Sequence, residues 1–103
     1  MSFAEVLAGL PAVDHLAGIE LIGPEGEKAQ IENKPGSQGS VKVYHYLLQK
    51  YGSLDRAAAN AGLILYAEHT LDARANPGKH PNIDRLLAIV ADGRPWSMRI
   101  QAA

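Results

Sequence analysis

Apolar positions along this chain change period several times, and each change predicts a new element. Ser2-Phe3-Ala4-Glu5 carries the serine and glutamate of a capping box, so a short helix should run to about Leu10, where Pro11 stops it. Two short apolar runs follow, Ile19–Ile22 and Ala29–Glu32, separated by the turn-rich GPEGE. That arrangement predicts a β-hairpin. Beyond the loop Asn33–Ser40, the residues Val41, Tyr44, Leu47, Leu48 and Tyr51 recur at helical spacing, with Ser40 placed to cap and Gly52 placed to end the helix. Ser53 is placed to cap a short alanine-rich helix closed by Gly62. A further helix is predicted over Leu63–Ala75, with Ile64, Ala67, Leu71 and Ala75 as its apolar stripe and Asn76-Pro77-Gly78 as its stop. Asn82 then caps a helix that turns Ile83, Leu86, Leu87 and Val90 inward and closes at Gly93. Finally, Trp96, Met98 and Ile100 alternate with Ser97, Arg99 and Gln101, the pattern of a half-buried strand.

The predicted order is therefore α-β-β-α-α-α-α-β. A strand returning late in the chain suggests that it joins the early hairpin. The expected fold class is α+β: a small, mainly antiparallel sheet of about three strands packed with about four helices, in a single compact domain spanning residues 1–103. Ile19, Leu21 and Ile31 should be buried from the sheet, Tyr44, Leu47 and Leu48 from the first long helix, and Leu71, Leu86, Leu87 and Val90 from the later ones. Trp96 and Met98 should complete that core.

Composition narrows the class of protein. An apolar fraction of 47% with 20% charged residues describes a folded domain rather than a disordered chain. The net charge of −1 gives no global attraction to nucleic acid, and no basic run offers itself to an anionic membrane. Neither is expected as a partner. Without cysteine there is no disulfide, thiolate metal site or thiol nucleophile. The N-terminal segment lacks the basic and apolar regions of a secretory signal, and no apolar run reaches the roughly 20 residues of a membrane span. A cytoplasmic location is expected.

Chemistry concentrates in Glu68–Arg85, which holds two of the four histidines, His69 and His80, among the carboxylates Glu68, Asp72 and Asp84. Helical spacing puts Glu68, His69 and Asp72 within one arc. Together with His80 or Asp84 they have the donor types for a divalent metal such as zinc, manganese or iron. The same residues suit acid–base work, with a carboxylate fixing a histidine tautomer. An ordinary solvated face would also carry such charges, and HExxH is absent. Antiparallel packing of the two helices should bring His80 and Asp84 back toward Asp72 and Arg74.

Two loops are candidate anion sites. Asn33–Ser40 enters a helix and supplies Lys34, Gly36, Ser37, Gly39 and Ser40, although its spacing is not that of a Walker A loop. Pro77–Asn82 enters another, with Lys79 and His80 where an anion would be attracted. Both loops would also serve simply as turns. A superficial helix-turn-helix pattern, with Ala58 and Gly62 four apart, is spoiled by Glu68 at a normally aliphatic position and by a recognition helix that would carry no Arg or Lys before Arg74. No serine sits in a G-x-S-x-G elbow, so triad hydrolysis has no support.

The segments NKPGSQGS-x-K-V-Y-H and YAEHTLDARANPGKHPNIDRLL resemble a family of short bacterial proteins classed as a domain of unknown function. The resemblance covers nearly the whole chain and is most distinctive over PGKHPNIDRL. It implies a compact cytosolic bacterial protein and brings no activity, substrate or catalytic residue. The residues themselves favour a binding or regulatory module with a polar pocket for a small anionic ligand or a divalent metal. A metal-dependent enzyme using the same residues is the competing class, and a structural or protein-interaction subunit the third. An alanine-rich domain of this size can also form a homodimer, though no residue pattern marks the surface.

Overall fold

The order of elements in the computed structural model, which describes Met1 to Ala103, is the order expected. It runs α1 (Phe3–Gly9), β1 (Leu16–Ile22), β2 (Lys28–Glu32), α2 (Gln38–Tyr51), α3 (Arg56–Leu65), α4 (Glu68–Ala75), α5 (Pro81–Asp92) and β3 (Ser97–Ala102). The fold is α+β, with five helices rather than about four. All five stand in the predicted order, and the short α1 has both bonds of its Ser2–Glu5 capping box but no buried residue.

Hairpin and late strand form one antiparallel sheet in the order β2-β1-β3. Alternation decides its faces. Ile19 lies opposite Ile31 and Ile100, and Leu21 opposite Ala29 and Met98, and these supply the core side. On the other side Arg99 donates to Glu20 at 2.7 Å and Gln30 donates to Gln101 at 2.7 Å, so that face is polar. The helix α2 packs on all three strands, α3 on α2, and α5 on α3. A single cluster of 18 buried apolar residues joins the layers.

The α3–α4 region departs from expectation. Gly62 does not end a helix; α3 runs straight through it. A Cβ there would stand 2.7 Å from Leu86 Cδ1 and 3.0 Å from Leu47 Cδ1, so the glycine exists to let α5 and α2 come close. The break falls at Ala67, whose φ of 52° and ψ of −122° lie outside the regions open to L-residues. Helical phase restarts after the break, and the predicted stripe cannot cross it. Leu71 is consequently 72% exposed and Ile64 77% exposed, while α4 buries Thr70 and Ala73 instead. Leu48, Leu87, Val90, Trp96 and Met98 are half-buried rather than core.

The caps shift too. Asp55, not Ser53, accepts from the Ala58 N–H at the start of α3. Ser37 rather than Ser40 precedes α2, and His80 rather than Asn82 precedes α5, with Pro81 at the first helical position. At the other ends Gly52 and Gly93 adopt the left-handed conformation that a helix C-terminus favours.

One polar cluster fixes the start of α5. Tyr44, fully buried on α2, donates its hydroxyl hydrogen to the Asn82 carbonyl and accepts from Arg85 Nη1 at 3.0 Å. Burial pushes the Tyr44 pKa up to about 12, against the pull of Arg85, so the phenol stays a neutral donor. The Arg85 guanidinium lies 5.6 Å from the Tyr44 ring centre and 5.5 Å from that of Trp96.

Candidate functional site

A cleft of about 410 Å³ opens where three segments distant in sequence meet. Phe3 and Leu7 of α1 form one wall, and Gly36, Gly39 and Ser40 at the entry to α2 form the second. The third is the corner between α4 and α5, with His69, Lys79, His80 and Asn82. The two loops read separately as anion sites thus border one cavity.

Specific bonds hold the walls together. Glu68 Oε1 accepts the Phe3 backbone N–H at 2.7 Å, tying α1 to α4, and Lys42 Nζ donates to the Leu7 carbonyl at 3.2 Å. Its own backbone N–H, followed by that of Phe3, holds the Glu68 carboxyl below its ordinary value. Gly39 permits close approach, since a Cβ there would meet Leu7 Cδ1 at 3.1 Å and Phe3 Cε2 at 3.3 Å. Tyr66 donates to Ser40 Oγ at 2.7 Å, joining the α3 C-terminus to the second wall. Its burial raises the phenol pKa far above the ordinary range, so Tyr66 presents a neutral ring.

At the third wall Asp72 Oδ2 accepts from His80 Nε2 at 2.6 Å and from Lys79 Nζ at 2.9 Å. The His80 bond, followed by the Lys79 bond, lowers the Asp72 pKa to about 2. An ionised carboxylate can only accept, so the proton on a neutral His80 resides on Nε2 and leaves Nδ1 as a lone-pair acceptor. The expected return of His80 toward Asp72 is therefore present.

Four rings run in series around the cleft. Tyr66 and Phe3 are stacked with centroids 5.2 Å apart, His69 meets Phe3 edge-on at 5.0 Å, and His69 and His80 lie 5.7 Å apart. The series leads from an apolar end to the Lys79 end. Phe3 and Tyr66 had no place among the residues singled out from the sequence. The one available signal was that the chain's sole phenylalanine stands on a short helix whose other positions, Glu5 apart, are small or aliphatic.

Two residues expected at the anion site lie away from it. Lys34 pairs with Glu32 at 3.2 Å on the surface, and Ser37 donates to the Glu32 carbonyl, closing the turn before α2. Nor are the five metal-ligand candidates gathered, and no group of three or more His, Asp or Glu side chains is placed to hold an ion. Glu68 is engaged by Phe3, Asp72 by Lys79 and His80, and Asp84 Oδ2 by the Gly78 N–H at 3.0 Å. Asp84 and Arg74 line a separate shallow groove with Leu87.

The other two histidines form a second pair. His15 and His45 have ring centres 5.9 Å apart, and His45 Nδ1 is buried with no hydrogen-bond partner. Burial, with a smaller effect from His15, holds the His45 pKa below its ordinary value.

Fold and cleft together define a small α+β protein with a cavity framed by polar and aromatic side chains. Residues 3–100 match a family described as an uncharacterised protein conserved in bacteria, DUF2322, and the chain belongs to that family. No curated protein and no solved structure matches it. None of its helices is long and apolar enough to cross a membrane.

Proposed function

We propose that this protein is a binding module that takes a small anionic ligand in the cleft between α1, the α2 entry and the α4–α5 corner. One observation carries the reading: Lys79 and His80 share a single carboxylate, Asp72, at the edge of a cavity that also holds His69 and Ser40. Two potential cations and one anion leave that wall able to receive further negative charge. The volume of about 410 Å³ falls in the range of roughly 300–1,000 Å³ typical of small-molecule clefts. An anion is favoured over a metal because Glu68 and Asp84, two of the carboxylates a cation would need, already accept backbone amides.

Histidine ring-proton NMR during titration with inorganic phosphate tests the reading. His69 and His80 should shift while His15 and His45 stay still, and Lys79→Ala should abolish the response. Phosphate that moves none of the four, or all four alike, would refute a site in this cleft.

A further inference from the structure

We infer that the ligand of this cleft is an organic anion with a flat, aromatic or heteroaromatic body, its charged head at Lys79 and His80. The inference rests on the anion reading above and adds the chemistry of the rest of the molecule.

Size is the first argument. A water occupies about 30 Å³ of liquid, so a cavity of about 410 Å³ far exceeds the needs of a bare inorganic anion. Something must fill the remainder, and the lining says what kind of surface it has.

Ring geometry is the second. Tyr66, Phe3, His69 and His80 all border the cavity and follow one another at centroid separations of 5.2, 5.0 and 5.7 Å. Rings in this range attract through offset or edge-on contacts, and a flat ligand can join such a series. Leu7 and Ile83 add apolar surface, which favours a hydrocarbon or heterocycle over a sugar with its many hydroxyls.

Polarity along the cavity is the third. The neutral phenol of Tyr66 spends its hydroxyl hydrogen on Ser40, so the aromatic end offers little to a charged group. Lys79 and the Asn82 side chain supply donors at the other end, and His80, once protonated, adds one from Nδ1. A ligand matching this gradient has its charge at one end and its ring at the other.

Matched phosphonates separate ring from charge, because methylphosphonate and phenylphosphonate share one head group. Phenylphosphonate should bind roughly tenfold tighter or better, as expected for one added aromatic contact plus its buried area. His69 and His80 should report both ligands. Phe3→Leu keeps an apolar side chain on a helix with no buried residue, so the protein should fold and the tenfold preference should collapse. Equal affinities in the wild type would overturn the aromatic ligand while leaving the anion site intact. Benzyl alcohol binding as tightly as phenylphosphonate would overturn the charged head. Neither phosphonate binding, with no response to inorganic phosphate, would remove the anion reading and this inference together.

Discussion

The half of the molecule built from β1, α2, α3 and α5 and the half that borders the cleft are held together by different forces. In the first, Ile19, Leu21, Tyr44, Leu47 and Leu86 are sealed from solvent, and apolar burial is the main stabilising term. In the second, α1 buries nothing and α4 buries only Thr70 and Ala73. Single bonds do the holding there: Glu68 to Phe3, Tyr66 to Ser40, and Asp72 to His80 and Lys79. A rim tied by a few polar bonds can adjust around a ligand while the packed half stays fixed.

The largest effect should separate two leucines fifteen positions apart. Leu86→Ala empties a fully buried site and should cost about 2–5 kcal/mol, read as a lower denaturant midpoint. Leu71→Ala, on α4 and 72% exposed, should stay within about 0.5 kcal/mol. Equal losses would erase the distinction between the halves. The sequence pattern alone had placed both leucines in the core. Periodicity located the packed half well because its elements are long and uninterrupted: the Tyr44 and Leu47 face, the Ile19–Leu21 strand and the Leu86 face all lie as predicted. It failed at Leu71 because no residue type announces a helix break at an alanine.

That break gives the second prediction. Ala67 holds a backbone conformation that costs an L-residue on the order of 1–2 kcal/mol. Glycine would adopt it without strain but adds about 0.5–1 kcal/mol of chain entropy to be lost on folding. Ala67→Gly should therefore stabilise the protein by up to about 1 kcal/mol, with a rise in thermal midpoint. A lower midpoint would mean that Ala67 is not strained and that the rim is as relaxed as the core. Strain of this kind collects beside functional sites, and here it sits between Tyr66 and His69, both on the cleft. Glycine in its place would have made the break readable. The cleft itself was half-readable: the density of His, Lys and Asp over residues 68–85 marked one wall. The contribution of Phe3 was hidden, since it reaches the cleft through a bond to Glu68 sixty-five positions away.

Acid should distinguish the two histidine pairs, one in each setting. The His15–His45 pair has no carboxylate bonded to it, and His45 titrates below its ordinary value in the folded protein. As pH falls below the ordinary histidine value of about 6.5, the unfolded chain takes up a proton that folded His45 resists. Stability from this site is therefore present above that pH and declines below it, until folded His45 also protonates. At the cleft pair the relevant group is Asp72, with a folded pKa of about 2 against an ordinary value of about 3.9. Its contribution is intact above about pH 4 and disappears as pH drops toward about 2. Denaturant midpoints measured across this range should show two separate losses. His45→Phe should remove the upper one, because a buried imidazole nitrogen without a partner is replaced by carbon. Asp72→Asn should shrink the lower one, to which the depressed carboxyls of Glu68 and Glu5 also contribute, and leave the upper in place. If His45→Phe left the upper loss unchanged, the buried His45 would not be its source. If Asp72→Asn left the lower one undiminished, the bonds from His80 and Lys79 would not be what depresses the carboxylate.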